Sequence, residues 1–383
     1  MIFLLGFLVV YIVLMGVLIV GQSRAPNATL TIEGPFPKVS IVVSARNEAH
    51  QISALIAAIH AQTYPKDQLE LIIVDDRSTD TTREVIAQAA QQHDYIRYLR
   101  VSEGVPGWGP KKWALTQGIK AAKNEIILQT DADCRPNENW VSSMMAGFAD
   151  PKVGFVCGPA IIESKNPRLS PYFVLDSLVP QAFIAAALRF QWPLSCTGQN
   201  LGFRRGLFMA LNGYEGIHSY RSGDDDLWMH KVGSTRQVKC WYNDSHWGHV
   251  YSDAPESMKE ICIQRLRYMS KSLTYFKQKT PGSVLLILPT TYLMNLLCVI
   301  SIFLVLKWPY ITLLIWVTRS GLDGVLVQQF LKKIQYPVSR RVFWVTSLCH
   351  PFYYVIIGFL GPILGPLAVR GWKQGALPRM RQA

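Results

Sequence analysis

The sequence predicts an α/β domain that is anchored in a membrane by apolar segments at both ends. Three observations lead to this fold class. Residues 1–21 carry no charge, short β-rich runs alternate with helical patterns between residues 39 and 129, and long apolar stretches return after residue 282. A helix needs about 20 apolar residues to cross the hydrocarbon core, and alternating strands and helices favour a mostly parallel sheet.

The N-terminal segment, residues 1–21, is predicted to be an uncleaved transmembrane anchor. A cleaved signal peptide is the alternative, but it would start with a positive region and have a shorter apolar stretch. The first basic residue of this chain is Arg24, which follows the apolar segment. The length and the missing positive region therefore favour the anchor.

Residues 36–255 have the composition of a globular domain and contain the alternating pattern. Runs of β-branched residues predict strands, and longer amphipathic stretches predict helices. The predicted strands lie at 39–44, 69–74, 96–101 and 125–129, and the predicted helices at 48–61, 81–91 and 112–122. Ligands of such sheets bind beyond the carboxyl ends of the strands.

The C-terminal third is predicted to return to the membrane. Residues 256–281 form a basic amphipathic segment, and residues 283–369 contain about three apolar spans, at 283–306, 308–330 and 342–369. Residues 370–383 are a basic tail. A further apolar segment at 175–188 is predicted to be an interfacial helix, with a core helix as the alternative.

The net charge of +13 is unevenly distributed. Residues 1–255 hold 23 basic and 23 acidic residues, residues 256–281 hold six and two, and residues 282–383 hold ten and one. The excess lies next to the apolar spans, where Lys and Arg favour the cytosolic face and anionic headgroups. A nucleic-acid partner would require the excess on the globular domain, so none is expected.

The cysteines and histidines do not indicate a metal or disulfide framework. The seven cysteines are odd in number and none has CxxC spacing, which suits a reducing, cytosolic compartment. His246 and His249 have a spacing that a metal can use, but packing is the favoured interpretation.

Carboxylates follow two of the predicted strands. Asp75 and Asp76 come after the second strand, and Asp131 and Asp133 after the fourth. Two like charges one residue apart at a strand end repel each other and need a cation. Oxygen ligands suit Mg²⁺ or Mn²⁺, which then bind phosphate oxygens. A solvated acidic loop is the alternative.

Six motifs occur in a fixed order: VSIVVSARNEA, LIIVDDRSTD, KKWAL, TDAD, SGDDD and QRLRY. In this order they resemble the inverting glycosyltransferases of family 2, which have the GT-A nucleotide-sugar fold. The layout of anchor, domain and membrane tail resembles the membrane-embedded members, such as ceramide glucosyltransferase, and more distantly the processive synthases. The resemblance covers about residues 36–280.

The resemblance implies a donor site for a UDP-sugar. It implies that Glu48 and Asp76 hold the uracil and ribose, that Lys111 binds the diphosphate, that Asp131 contacts the nucleotide and that Asp133 holds Mg²⁺ or Mn²⁺. Family members often have Gly before this lysine, whereas this chain has Pro110.

The resemblance also implies a catalytic site on the acceptor side. Asp225 corresponds to the general base, with Asp224 beside it, although a solvated acidic turn would have the same composition. Gln264, Arg267 and Tyr268 match a QxxRW motif with Tyr in place of Trp, and they would bind the diphosphate. Their segment also fits a basic helix lying on lipid, and both interpretations can hold together.

These features predict a cytosol-facing integral membrane enzyme, expected in the bacterial inner membrane. It would transfer a sugar from a UDP-sugar to a lipid or polyisoprenoid hydroxyl. A processive polysaccharide synthase is one alternative. A non-catalytic membrane scaffold with the same fold is another, but every acidic position of the family motifs is acidic here.

Overall fold

The computed structural model describes residues 2–24, 36–220, 222–270, 272–276 and 280–371. Most of the predicted basic tail, residues 372–383, lies outside the described residues.

The main sheet has seven strands in the order β3-β2-β1-β4-β8-β6-β9, and β8 runs against its two neighbours while the other pairs are parallel. Val42 in the centre pairs with Ile72 on one side and Gln129 on the other. The strands are β1 (Val39–Ala45), β2 (Leu69–Asp76), β3 (Ile96–Val101), β4 (Ile126–Gln129), β6 (Val153–Cys157), β8 (Leu201–Arg204) and β9 (Lys239–Tyr242).

A second, three-stranded sheet lies beside the end of β4. It has the order β5-β10-β7, where β5 is Cys134–Pro136, β7 is Ala160–Glu163 and β10 is Val250–Asp253. β5 directly follows the TDAD motif, so this sheet fixes where the chain goes after Asp133.

Among the described residues, seven helices accompany the globular part and five others are long and apolar. The first group is α2 (Ile52–His60), α3 (Thr82–Gln92), α4 (Pro110–Ala121), α5 (Trp140–Ala146), α7 (Arg205–Ala210), α8 (Asp226–Thr235) and α9 (Met258–Met269). The second group is α1 (Ile2–Ser23), α6 (Ser170–Leu188), α10 (Gly282–Phe303), α11 (Pro309–Lys333) and α12 (Arg340–Gly371). Short 3-10 turns lie at Lys66–Gln68, Gly147–Ala149, His246–Gly248 and Ser272–Phe276.

The α/β fold class predicted from the sequence is confirmed. The predicted strands and helices up to residue 129 are all present, and their ends differ from prediction by only a few residues. Apolar runs rich in Val and Ile form the central strands because they are buried on both faces of the sheet.

The two faces of the sheet are buried in different ways. Ile41 and Val43 of β1 belong to a cluster formed with the helices of the globular domain. Val42 points the other way, into a cluster that continues through Tyr11 of α1 and Phe330 of α11. Apolar packing is therefore continuous from this face of the sheet into the long helices.

Five described helices are long and apolar enough to cross a membrane: α1, α6, α10, α11 and α12. Four of them correspond to the predicted anchor and the three predicted C-terminal spans. α6 begins at Ser170 rather than near residue 175. It packs on α1, α11 and β7, and more than half of its most apolar stretch is buried. This extension gives the helix predicted to be interfacial the length of a span.

Candidate active site

One cavity of about 1030 Å³ lies between the carboxyl ends of the parallel strands and the long helices. All ten site residues predicted from the sequence line it, although they come from widely separated parts of the chain. They are Glu48, Asp76, Lys111, Asp131, Asp133, Asp224, Asp225, Gln264, Arg267 and Tyr268.

The loops that follow β1 and β2 are held together by backbone-to-side-chain hydrogen bonds. Asn47 N donates to Ser78 Oγ at 3.1 Å, and Thr79 N donates to Asn47 Oδ1 at 2.8 Å. Glu48 N donates to Thr82 Oγ1 at 2.8 Å. These bonds fix the position of Glu48 beside the end of β2, where Asp76 lies.

Asp76 is almost fully buried and is paired with the residue that follows it. Arg77 Nε donates to Asp76 Oδ1 at 2.7 Å, and Arg77 also lines the cavity. A Cβ at Gly104 would lie 2.5 Å from Arg77 Nη1, so the guanidinium rests on a residue without a side chain. Arg77 was not among the residues predicted from the sequence. Its position directly after Asp75 and Asp76 could have indicated a role, because a cation next to two acids at a strand end neutralises their charge.

Lys111 forms ion pairs with two of the predicted acidic residues. Its Nζ lies 2.7 Å from Asp131 Oδ1 and 2.8 Å from Asp224 Oδ2, so it joins two of the predicted motifs. Burial opposes the charge on Lys111, but Asp131 and Asp224 outweigh it and hold its pKa well above the usual value. Burial raises the pKa of Asp131, and Lys111 offsets that only in part.

Pro110, which departs from the family pattern, occupies the first position of α4, where a missing N–H costs nothing. Proline at this position is therefore compatible with the start of α4. Lys111 lies in the first turn of this helix and lines the cavity.

The three acids of the SGDDD motif bind three different sets of partners. Asp224 is buried and pairs with Lys111. Asp225, which is half-buried, caps α8: its Oδ1 accepts from Asp226 N at 2.8 Å and its Oδ2 from Gly198 N at 3.0 Å. Asp226 is buried, accepts from Leu227 N at 2.7 Å and accepts a hydrogen bond from Tyr275 OH.

The loop TGQN, at 197–200, packs against the ion pair of Lys111 and Asp224. A Cβ at Gly198 would lie 3.1 Å from Asp224 Oδ2 and 3.2 Å from Lys111 Nζ, so a side chain there would press on the ion pair. Asn200 anchors the loop, because its Nδ2 donates to Pro159 O and Gly248 O, each at 2.7 Å. The loop is thus held against Asp224 and Asp225.

Helix α9 lies along another wall of the cavity. Arg267 and Gln264 line it, and the guanidinium of Arg267 lies 5.0 Å from the ring centroid of Tyr268. Arg265, to which the sequence analysis gave no role, forms an ion pair with Asp176 of α6. The QRLRY motif therefore fixes α9 to a long helix as well as presenting side chains to the cavity.

The donor atoms at the end of β4 fit a divalent ion that is shared with a phosphate. Asp131 and Asp133 line the cavity, and Asp131 Oδ1 already binds the cationic Nζ of Lys111. Within the described ranges no group of three His, Cys, Asp or Glu side chains is arranged to hold a metal. Mg²⁺ sites commonly use one or two carboxylates completed by substrate phosphates, which is the set available here.

Lys112, next to the predicted Lys111, is a second lysine that the structure singles out. It is 1% exposed, and its Nζ donates to Tyr220 O at 2.5 Å and Ser222 O at 2.8 Å. These carbonyls lie just before the acid run. Lys112 therefore positions the segment that carries Asp224 and Asp225.

We expect Lys112→Met to reduce both stability and turnover, turnover by about tenfold. Two partly buried carbonyls would lose their donor, which costs about 2 kcal/mol or more in total. Thermal unfolding and turnover of the purified variant measure this. Lys120→Met, which changes an exposed lysine of the same helix, is the matched control. Equal behaviour of the two variants would show that Lys112 does not position the acid run.

His249 of the HWGH segment is packed in the core of the smaller sheet. It is 4% exposed, and its ring lies 6.1 Å from that of Tyr251 and 6.3 Å from that of Tyr336. Burial, aided by the nearby His246, lowers the pKa of His249 to about 4. The folded protein therefore holds this imidazole neutral.

We expect the stability of the protein to fall as the pH drops from about 6.5 to about 4 because the unfolded chain binds a proton at His249 that the folded chain does not. This contribution is at most about 3 kcal/mol. His249→Phe should flatten the dependence of the melting temperature on pH between 7.5 and 4.5. His60→Phe, at an exposed position, should keep the wild-type slope. Parallel curves for wild type and His249→Phe would contradict this assignment.

Two family models match the chain. "Glycosyl transferase family 2" matches residues 40–211, and "Glycosyl transferase family group 2" matches residues 126–360. The second match covers more than half of the chain and includes the acid run, α9 and the long helices up to α12.

Curated relatives are similar over the globular part. "Probable glycosyltransferase YdaM" of Bacillus subtilis is 30% identical over 47% of this chain and 43% of its own length. "Beta-monoglucosyldiacylglycerol synthase" of Nostoc sp. is 35% identical over 35% of this chain and 28% of its own. The chain spans less than half the length of either relative.

A solved structure, a mannosyltransferase from Pyrobaculum calidifontis in complex with GDP-Man and Mn²⁺, has a similar fold over nearly the whole chain. The TM-score is 0.58, with 94% of this chain and 95% of that chain covered and 19% identity. At this identity the similarity concerns the fold, which includes the long helices as well as the sheet.

Proposed function

Because the chain belongs to glycosyl transferase family group 2, we propose that it is an inverting enzyme that moves a sugar from a UDP-sugar to a hydroxyl of a membrane lipid or lipid-linked acceptor. The observation that carries this proposal is the continuity of the cavity. It joins the predicted nucleotide residues, such as Asp76, to Asp225 and continues between the long helices to Asn295.

In this proposal the donor lies across the ends of the parallel strands. Glu48 and Asp76 bind the uracil and ribose, and Asp131 contacts the nucleotide. Lys111 and Arg267 provide positive charge for the diphosphate, with Gln264 and Tyr268 beside them. Lys111 supports this role because its pairing with Asp131 and Asp224 already keeps it charged. A divalent ion held by Asp133 and Asp131 would neutralise part of the diphosphate charge.

Asp225 acts as the general base on the acceptor side. It takes the proton from the acceptor hydroxyl while that oxygen forms a bond to the anomeric carbon and the bond to UDP breaks, which inverts the configuration. Two N–H groups hold the carboxylate in place at the cavity wall. Asp224 contributes by orienting Lys111 rather than by receiving the proton.

The function is tested by UDP release from the purified full-length chain in lipid nanodiscs. We expect release to require Mn²⁺ or Mg²⁺ and to rise when a bacterial lipid extract is added. A panel of UDP-sugars and GDP-mannose identifies the donor. Absence of binding and turnover with every nucleotide sugar would contradict the proposal and would favour the scaffold alternative.

We also propose that the catalytic domain faces the cytosol of a bacterial cell, at the inner membrane. The excess of basic residues after residue 255 supports this side, and nucleotide sugars are made there. In a background with the exposed Cys262 and Cys349 changed to Ser, Gln91→Cys should react with a membrane-impermeant maleimide only after lysis. Labelling in intact cells would place the domain outside.

A further inference from the structure

One arm of the cavity lies among the long helices, away from the strand ends. Its walls include Tyr11 of α1, Asn295 of α10, Asp323 of α11 and His350 of α12. On α10 alone the lining extends from Val284 to Asn295, which is about 16 Å along a helix. That length is about half of the hydrocarbon thickness of a bilayer.

Polar side chains are concentrated at the far end of this arm. Tyr11 OH donates to Asp323 Oδ1, and Arg319 Nε lies 3.0 Å from Asp323 Oδ2. Arg319 also donates to Ser347 O at 2.6 Å and to His350 Nδ1 at 3.1 Å. This polar network, formed by these five residues, joins α1, α11 and α12.

Asn295 supplies an acceptor that the network does not use. The residue is 5% exposed, and its Nδ2 donates to Thr291 O at 2.7 Å. Its Oδ1 is buried and has no hydrogen-bond partner among the residues that the structure describes. Asn295 lines the cavity, so this buried oxygen lies beside the arm and lacks one hydrogen bond within the described part of the chain.

The polar end of this arm is a poor binding site for a hydrocarbon tail. Polar and ionisable residues in membrane-spanning helices are costly and usually serve a ligand or a pathway. An apolar group against Asn295 Oδ1 would leave a buried carbonyl without a donor, which is unfavourable. A hydroxyl group is neutral, donates one hydrogen bond and also accepts from donors such as Tyr354, which lines the same arm.

We infer that this arm binds a hydroxyl-rich, saccharide part of the acceptor, with Asn295 Oδ1 accepting from one of its hydroxyls. The inference rests on the proposed function and narrows its substrate class. The acceptor would be a glycolipid or a lipid-linked saccharide, rather than a lipid whose only polar group is the hydroxyl that reacts at Asp225.

Equilibrium binding tests this inference without relying on turnover. The full-length protein in nanodiscs, saturated with UDP and Mn²⁺, is titrated with radiolabelled dioleoylglycerol and with its monoglucosyl derivative. The two probes have the same tails and differ by one sugar. We expect tighter binding of the glucosylated probe and a loss of about tenfold in its affinity in Asn295→Leu, the size of one good hydrogen bond.

Thr290→Val is the matched control because Thr290 is a buried polar residue of α10 that does not line the cavity. It should bind both probes as wild type does, and Asn295→Leu should keep wild-type affinity for dioleoylglycerol and UDP. A second variant, Asn295→Ser, covers the case in which the leucine variant fails to fold. Equal binding of the two probes to the wild type, or binding of neither, would overturn the inference. So would a preference for the glucosylated probe that is unchanged in Asn295→Leu and Asn295→Ser. Failure of the proposed function would instead appear as absent UDP release.

Discussion

Asp225→Asn is expected to lower the rate of sugar transfer by about a hundred- to ten-thousand-fold while leaving the affinity for UDP-sugar nearly unchanged. A general base contributes a factor of this size, and asparagine cannot take the proton. Asparagine has one carbonyl oxygen, so it can accept from Asp226 N or from Gly198 N but not from both. We therefore expect a modest loss of thermal stability beside the much larger loss of transfer. UDP binding and transfer are measured on the same preparation.

The neighbouring acids provide the controls. Asp224→Asn should weaken donor binding as well as transfer because Lys111 loses one of its two anionic partners. Asp226 is buried and bound to Tyr275, so reduced thermal stability is the expected effect of Asp226→Asn. An active Asp225→Asn enzyme beside an inactive Asp224→Asn enzyme, with donor binding intact in both, would move the base by one residue.

Asp133→Asn is expected to remove metal-dependent turnover, lowering the rate by about a hundredfold or more. Electrostatic stabilisation of a developing charge is usually a large contribution to catalysis, and single groups contribute about this much. Chelation of divalent ions with EDTA should reduce the wild type to a similar level, and Mn²⁺ should restore the wild type but not the variant. Release of UDP is the measurement.

A matched acid separates this effect from a general loss of charge. Asp150 pairs with Lys239 on the surface, at 3.0 Å, and does not line the cavity. Asp150→Asn should therefore retain wild-type activity and metal dependence. Metal-stimulated release by Asp133→Asn at a rate near wild type would show that the metal is not held at this position.

The sequence was sufficient to predict the sheet and the residues around the cavity. Runs such as LELIIV have one stable arrangement in a globular domain, a strand buried on both faces, and each is followed by turn residues. Asp76 and Asp131 could be placed at the same edge because parallel strands bring their carboxyl ends together. The ordered family motifs added the acid run and α9.

Partners that are distant in the chain could not be predicted in this way. Lys112 binds carbonyls 108 and 110 residues away, and Tyr275 binds Asp226 across 49 residues. No local pattern records such contacts, which depend on how the loops close over the sheet. The length of α6 was also missed because its first turns, from Ser170, are less apolar than the remainder.

The polar network among the long helices is a second feature that could not be predicted from the sequence. Arg319 and Asp323 weaken the apolar pattern of their segment, and from sequence alone they only make the span less certain. In the structure they pair with each other and with Tyr11 and His350 around the cavity. The contacts of Arg319 and Asp323 depend on which helices pack next to each other, and the sequence pattern does not give this packing.

Mass spectrometry of the reaction products tests the central claim, that one cavity transfers a sugar from a nucleotide to an acceptor held between the long helices. The full-length chain in nanodiscs is incubated with Mn²⁺, a UDP-sugar and a bacterial lipid extract, beside Asp225→Asn. We expect lipid species heavier by a sugar residue with the wild type and their absence with the variant. UDP release without any glycosylated product, or the same products from both proteins, would contradict it.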